Sequence, residues 1–305
     1  MAFAPDGRLF YNELRTGNVR VIQNRTVLPQ PFASLNVTTS GETGLLGLAL
    51  DPDFASNRFV YVLYSDPGGF MRVVRFTESN NVGTNMTTIV DRLPMARIHN
   101  GGNIAIGPGG HLFITIGDNG QPANSQNPNS LSGKLLRYNR DGSVPGDNPF
   151  GGNNPAFNLG LRNSFDITFH PQTGVVYATE NGPECDDELN RVVAGANYGW
   201  RPDYACGESN TQFVQPIVRF DARIAPTGVT FYTGTVFPQF TGSLFMVSFN
   251  DGVVRRFTVD ESRQGALTSQ ETVTESFGHL YDVVQGPDGF LYLSSDSAIH
   301  RMVPQ

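Results

Sequence analysis

Cations are scarce in this sequence. Lysine occurs once, as Lys134, and 21 Lys and Arg face 28 Asp and Glu, for a formal charge of −7. That balance argues against nucleic acid or an anionic membrane as the main partner. No run approaches the roughly 18 apolar residues of a membrane-spanning helix. The opening reads as one without a leader. Met1-Ala2-Phe3 runs straight into a strand-turn unit, Phe3 to Glu13, which reads as a first unit trimmed at its start, without the strand that should precede its turn. Helical periodicity is nearly absent. Cysteine occurs only as Cys185 and Cys206, and with five histidines this argues against a thiolate zinc site. The pair fits a disulfide in an exported protein or two buried thiols in a cytosolic one.

What the chain does have is turns, with 34 Gly and 20 Pro. A unit recurs: an apolar strand, a Pro-Asp-Gly-like turn, then an aromatic-rich strand. It appears as AFAPDGRLFYNE from Ala2, LALDPDFASNRFVYVLYS from Leu48 and IAIGPGGHLFITIGD from Ile104. It returns as ITFHPQTGVVYATENG from Ile167, more weakly as TFYTGTVFPQFTGSLFMVSF from Thr230, and as VVQGPDGFLYLSSD from Val283. The turns lie about 45 to 63 residues apart, within the range of propeller blades. Six sheet-sized units, without helices to cover a parallel sheet, predict a closed ring, because closure disposes of edge strands. The expected fold is all-β, a six-bladed β-propeller of four-stranded antiparallel blades. Nothing resembling a linker divides the chain, so residues 1–305 read as one domain rather than two stacked sandwiches. The insertions Asn119 to Gly133 and Asp141 to Asn158 are too long for hairpins, and long loops in compact domains tend to be functional.

Candidate chemistry centres on RIHNGGNIAIGPGGHLFITIGDNG, Arg97 to Gly120. Its Gly-Pro-Gly-Gly turn is a hairpin signal. A hairpin returns its far end to its near end, so His99 and Asp118 share a rim. A histidine whose second nitrogen is held by a carboxylate is a candidate general base; the alternative is a rim histidine that merely bonds a turn. Glu42, His99 with Asn100, and Arg162 with Asn163 stand at the same point of three successive units. In a propeller, equivalent points converge on one face near the central channel. ENGPECDDELN, Glu180 to Asn190, running on to NYGW at Asn197 to Trp200, offers hard oxygen donors that suit calcium, or else forms an acidic surface loop. Cys185 lies inside this segment and Cys206 shortly after it; a bridge would close about 20 residues and add roughly 3 kcal/mol by chain entropy.

GETGLLGLALDPDF, HNGGNIAIGPGGHLFITIGDNG, SLSGKLLRYNRDGSVPGDNPF, LGLRNSFDITFHP, ENGPECDDELNRVVAGANYGW and DVVQGPDGFLYLSSD, in that order, resemble the glucose/sorbosone dehydrogenase family over nearly the whole chain. The resemblance implies a six-bladed, pyrroloquinoline quinone (PQQ)- and Ca2+-dependent enzyme, secreted or periplasmic, that oxidises an aldose sugar to a lactone and passes electrons to an external acceptor. By it, His99 resembles the catalytic base and Asp118 the carboxylate that orients it. Arg162 and Asn163 match residues that contact the quinone, the arginine near its reactive carbonyl. Glu42 and Asn181 stand where the family often has glutamines lining the cofactor site. Gly182 and Pro183 match backbone carbonyls that hold the cofactor's calcium, and Asp187, Glu188 and Tyr198 match ligands of a second, structural calcium. One departure stands out. Where well-studied members have a lysine in the fifth-blade loop and two arginines before the last hairpin, this chain has Asn250, His279 and Tyr281; Arg255 and Arg256 are near but lie in a strand. That departure supports a second expectation, a cofactor-free propeller that binds a carbohydrate or a protein partner through the same face.

Overall fold

The computed structural model describes residues 1–274 and 276–304. Its chain forms six antiparallel sheets in sequence order. Each begins with a strand that leads into one of the recurrent turns: Ala2–Phe3, Leu45–Leu50, Ile104–Ile106, Ser164–Phe169, Pro226–Phe231 and Leu280–Gln285. The six sheets form a ring, a six-bladed β-propeller. The second, fourth and fifth sheets have the expected four strands, the first has five, and the third and sixth have three. The third gains a fourth edge where Ala156 bridges Leu136. The first unit does have a strand before its turn: Ala2 and Phe3 pair with Phe10 and Leu9, which corrects the expectation of a missing one. Only two residues long, this stub carries little pattern of its own.

Strand alternation builds the core between neighbouring sheets. Val60 and Val62 pack toward the first sheet with Phe10, Val19 and Val21, while Tyr61 and Leu63 pack toward the third with Leu112 and Ile114. Phe113 faces the other way, against Ile167 and Val176 of the fourth sheet. Two further layers join the fourth sheet to the fifth and the fifth to the sixth. The last sheet meets the first where Tyr292 packs on Phe3 at 4.7 Å between ring centres. Each blade is thus apolar on both faces, as a stacked ring requires.

The leading strands bear a repeated irregularity. Register slips between Leu45 and Leu48, Ser164 and Ile167, Pro226 and Val229, and Leu280 and Asp282. A bulge leaves a backbone N–H without its ladder partner and re-aims the chain. Hydroxyls bond backbone donors at these entries and also at the third sheet, which has no such slip: Gly44 donates to Ser65, Gly102 and Asn103 to Thr115, and Asp166 to Thr179. The loops carrying Glu42, His99 and Arg162 all enter the ring at such patched points.

Candidate active site

His99 sits in left-handed backbone, φ 55°, on the loop that enters the third sheet. Its carbonyl lies so close to Gly117 that a Cβ there would collide with it, so only glycine fits between the two ends of the hairpin. That close approach brings His99 Nδ1 to 2.6 Å from Asp118 Oδ1. A carboxylate can only accept, so Nδ1 carries the proton and Nε2 is left as the acceptor of the neutral ring. The imidazole is 14% exposed and the carboxylate 1%. Asp118 Oδ1 also accepts from the Gly120 N–H at 2.7 Å, and Oδ2 from the indole N–H of Trp200 at 2.8 Å. Burial pushes the Asp118 carboxyl up, but the bonds from His99, Trp200 and Gly120 together outweigh it and hold the group below the usual range.

Arg162 belongs to the same rim, its carbonyl accepting from the Asp118 N–H at 2.7 Å. Its Nη1 donates to the Asn181 carbonyl at 2.8 Å, and its guanidinium lies over the Trp200 ring, 5.4 Å from the centre. Burial pulls this cation down, opposed by the carboxylates of Glu180, Asp118, Glu42 and Asp187. Its Nε is buried without a partner, and among the described residues the group forms no close ion pair. Such a donor set suits an anionic oxygen ligand. Asn163 accepts from the Gly101 N–H at 2.9 Å, tying the Arg162 loop to the His99 loop. The Asn181 amide reaches the Pro226 carbonyl at 3.0 Å and the Asn163 carbonyl at 3.4 Å. Glu42, on the same rim, accepts the backbone N–H of His99 with its carboxylate at 2.6 Å.

Two residues here had no role assigned from sequence. Glu180 is buried beneath the Arg162 loop and accepts from the N–H groups of Arg162 and Asn163 and from the Ser164 hydroxyl. Burial pushes its carboxyl up to about 7 against those bonds. Trp200, the single tryptophan, lies within the stapled loop; its being the only one was the signal that could have marked it.

The acidic loop divides. Cys185 and Cys206 are bridged, with Cα atoms 5.9 Å apart. Gly182 could take no side chain, since a Cβ would collide with the Cys185 carbonyl. Asp187 accepts from the N–H groups of Gly182 and Ala225, at 2.9 and 2.8 Å. The Pro183 carbonyl accepts from Arg223 at 3.2 Å. Glu188, the next residue along the strand, points to the opposite face. There it lines a cavity of about 10 Å³ with Tyr198, Tyr204, Glu208 and Arg219. Burial pushes its carboxyl up to about 8; Glu180 and Asp186 add to the push, while the Asn190 amide and Arg219 oppose it. The buried Asn190 Oδ1 has no partner. The Tyr198 hydroxyl is occupied, donating to the Arg191 carbonyl at 2.6 Å and accepting from the Val193 N–H. The structure therefore brings Glu188 and Tyr198 to one cavity and leaves Asp187 out of it. The raised carboxyl of Glu188 suits a hard cation in that cavity.

The sequence profile of the glucose/sorbosone dehydrogenases matches residues 1–303. The chain belongs to the glucose/sorbosone dehydrogenase family. It is 29% identical to the aldose sugar dehydrogenase YliI of Escherichia coli over 98% of this chain and 86% of that protein. It is 30% identical to quinoprotein glucose dehydrogenase B of Acinetobacter calcoaceticus over 66% of this chain and 49% of that one. The PQQ-bound aldose sugar dehydrogenase of Streptomyces coelicolor superposes with a TM-score of 0.85 at 28% identity, over 95% of this chain and 85% of that one. The chain is accordingly a sugar dehydrogenase-like oxidoreductase.

The side of the rim at Asn250, His279 and Tyr281 is built largely from aromatics. His279 stacks on Phe249, with ring centres 4.0 Å apart and planes 9° apart, and its Nδ1 meets Asp296 at 3.0 Å. The Tyr281 hydroxyl donates to the same carboxylate at 2.6 Å, and Asn250 donates to the Arg223 carbonyl at 2.9 Å. Arg255 and Arg256 are taken up in ion pairs with Asp251 and Glu271.

Proposed function

We propose that this dehydrogenase oxidises an aldose at its anomeric carbon to the lactone, using PQQ and calcium. The observation that carries the reading is the His99–Asp118 pair at 2.6 Å on the rim that also holds Arg162. His99 Nε2 takes the proton of the anomeric hydroxyl, and Asp118 stabilises the imidazolium that results. Arg162, its Nε unpaired, stabilises negative charge developing on a ligand oxygen. When bound, PQQ supplies a quinone carbonyl as hydride acceptor, with calcium as its Lewis acid. Arg162 and Asn163 would contact the quinone, with Asn181 and the Glu42 loop lining the site. The carbonyls of Gly182 and Pro183 would hold the calcium of the cofactor, Pro183 by exchanging its bond from Arg223. Glu188 and Tyr198 would border a second, structural cation; Asp187 would serve it only from the far face of the strand, and it anchors Gly182 instead. Electrons leave to an external acceptor. The disulfide supports a secreted or periplasmic site, and the inter-sheet packing supports reading residues 1–305 as one domain.

The test is spectroscopic and kinetic. PQQ and calcium added to the purified protein should give a stoichiometric quinone absorbance and dye-coupled oxidation of aldoses. The second reading, a cofactor-free propeller binding a carbohydrate or a protein partner, is favoured by the aromatic, cation-poor face at Asn250, His279 and Tyr281. No quinone absorbance at saturating PQQ and calcium would move the weight to it.

A further inference from the structure

We propose that Trp200 is a positioning residue that couples the His99–Asp118 pair to Arg162. This rests on the dehydrogenase reading above and assigns a role to a residue which that reading does not use. The indole works through two separate features. Its N–H donates to Asp118 Oδ2 at 2.8 Å, while Asp118 Oδ1 faces His99. With one oxygen held by the indole and the other by the imidazole and Gly120, the carboxylate cannot rotate, and the imidazole keeps one tautomer and one orientation. The π face lies under the guanidinium of Arg162, a buried cation with no close carboxylate partner among the described residues. An aromatic face is a partner for a desolvated guanidinium that leaves its remaining donors free for a ligand.

The indole is itself fixed. Gln126, from the long insertion in the third blade, donates to the Trp200 carbonyl at 2.8 Å and exchanges side-chain bonds with Asn197. Tyr204 packs beside the ring, 5.2 Å between centres, inside the loop closed by Cys185 and Cys206. The insertion and the stapled loop thus converge on one side chain, which turns their order into the orientation of the base and the arginine.

Two substitutions separate the two features. Trp200→Phe keeps a π face and removes the donor; Trp200→Leu removes both. Trp200→Phe should lower kcat about 10- to 100-fold, the range typical of partners that orient a reacting group, with KM and the Kd of PQQ unchanged. Trp200→Leu should lose the same kcat and also bind PQQ more weakly. A readout independent of turnover comes from the single tryptophan: the one indole N–H resonance of the apoprotein should lie downfield and move upfield in Asp118→Ala. Full kcat in Trp200→Phe, or a resonance indifferent to Asp118→Ala, overturns the assignment. Absence of wild-type turnover with PQQ and calcium would remove the dehydrogenase reading instead, and the resonance would still decide whether Trp200 holds Asp118.

Discussion

Glu42 and His99 meet across 57 residues, the carboxylate of one accepting the backbone N–H of the other at 2.6 Å. The bond spans two blades and closes on a residue in left-handed backbone. Glu42 is held in turn, because Arg15 donates to the carbonyls of Thr39, Gly41 and Thr43 on either side of it. A non-glycine residue held left-handed costs of order 1–3 kcal/mol. The bond from Glu42 offsets part of that cost and keeps His99 in a conformation the histidine would otherwise leave.

Glu42→Ala should therefore lower aldose turnover and destabilise the protein by about 1 kcal/mol, the bond being partly exposed. Glu42→Gln keeps an acceptor and should lose much less of both. Turnover and urea unfolding of the two variants check this; equal losses would mean that the charge matters rather than the bond.

His99→Ala should lower aldose oxidation about 10²- to 10⁴-fold, the usual cost of losing a general base, with little change in PQQ affinity. Asp118→Asn should cost less, since it disturbs the tautomer without removing the ring. Dye-coupled assays beside PQQ titrations measure both. An unaffected His99→Ala variant would remove His99 from the mechanism.

Removing calcium should lower the melting temperature, because an ion bound only by the folded chain stabilises it by mass action. The motive is the raised carboxyl of buried Glu188 in the cavity it lines with Tyr198. Calorimetry with and without chelator checks it, and an unchanged transition after verified metal removal would count against a cation there.

Lys134 should report on pH. The single lysine is buried, its ammonium donating to the carbonyls of Asn124 and Ser132 at 2.8 Å each. Burial pulls it down to about 8 from the ordinary 10.5. Between those values the unfolded chain binds the proton more tightly than the folded one, so this group's contribution to stability rises with pH there and is flat below about 8. Lys134→Met should destabilise by about 2 kcal/mol, since it strands the buried Ser132 carbonyl, while the Asn124 carbonyl keeps its bond from the Asn127 N–H. Urea unfolding at pH 7 and pH 10 should show the gap between wild type and variant widening at the higher pH.

The recurring turn units, from Ala2 to Val283, made the six-bladed ring legible from sequence alone, because the period of a repeat is a local property. The His99–Asp118 contact was legible for the same reason: both residues flank one hairpin, and a hairpin closes on itself. Alternation along Asp187 and Glu188 also predicts that the two face apart, although a shared ligand role pointed the other way. What no local pattern carries is contact between distant segments. Trp200 reaches Asp118 across 82 residues and Glu42 reaches His99 across 57, and both pairings exist only because successive blades stack side by side around one rim. The sequence by itself determined the blades and the short-range dyad, since hydrogen-bonded turns and strand alternation are set within a few residues. Only the tertiary structure decided which groups hold that dyad in place, since their separation is bridged by the packing of whole sheets.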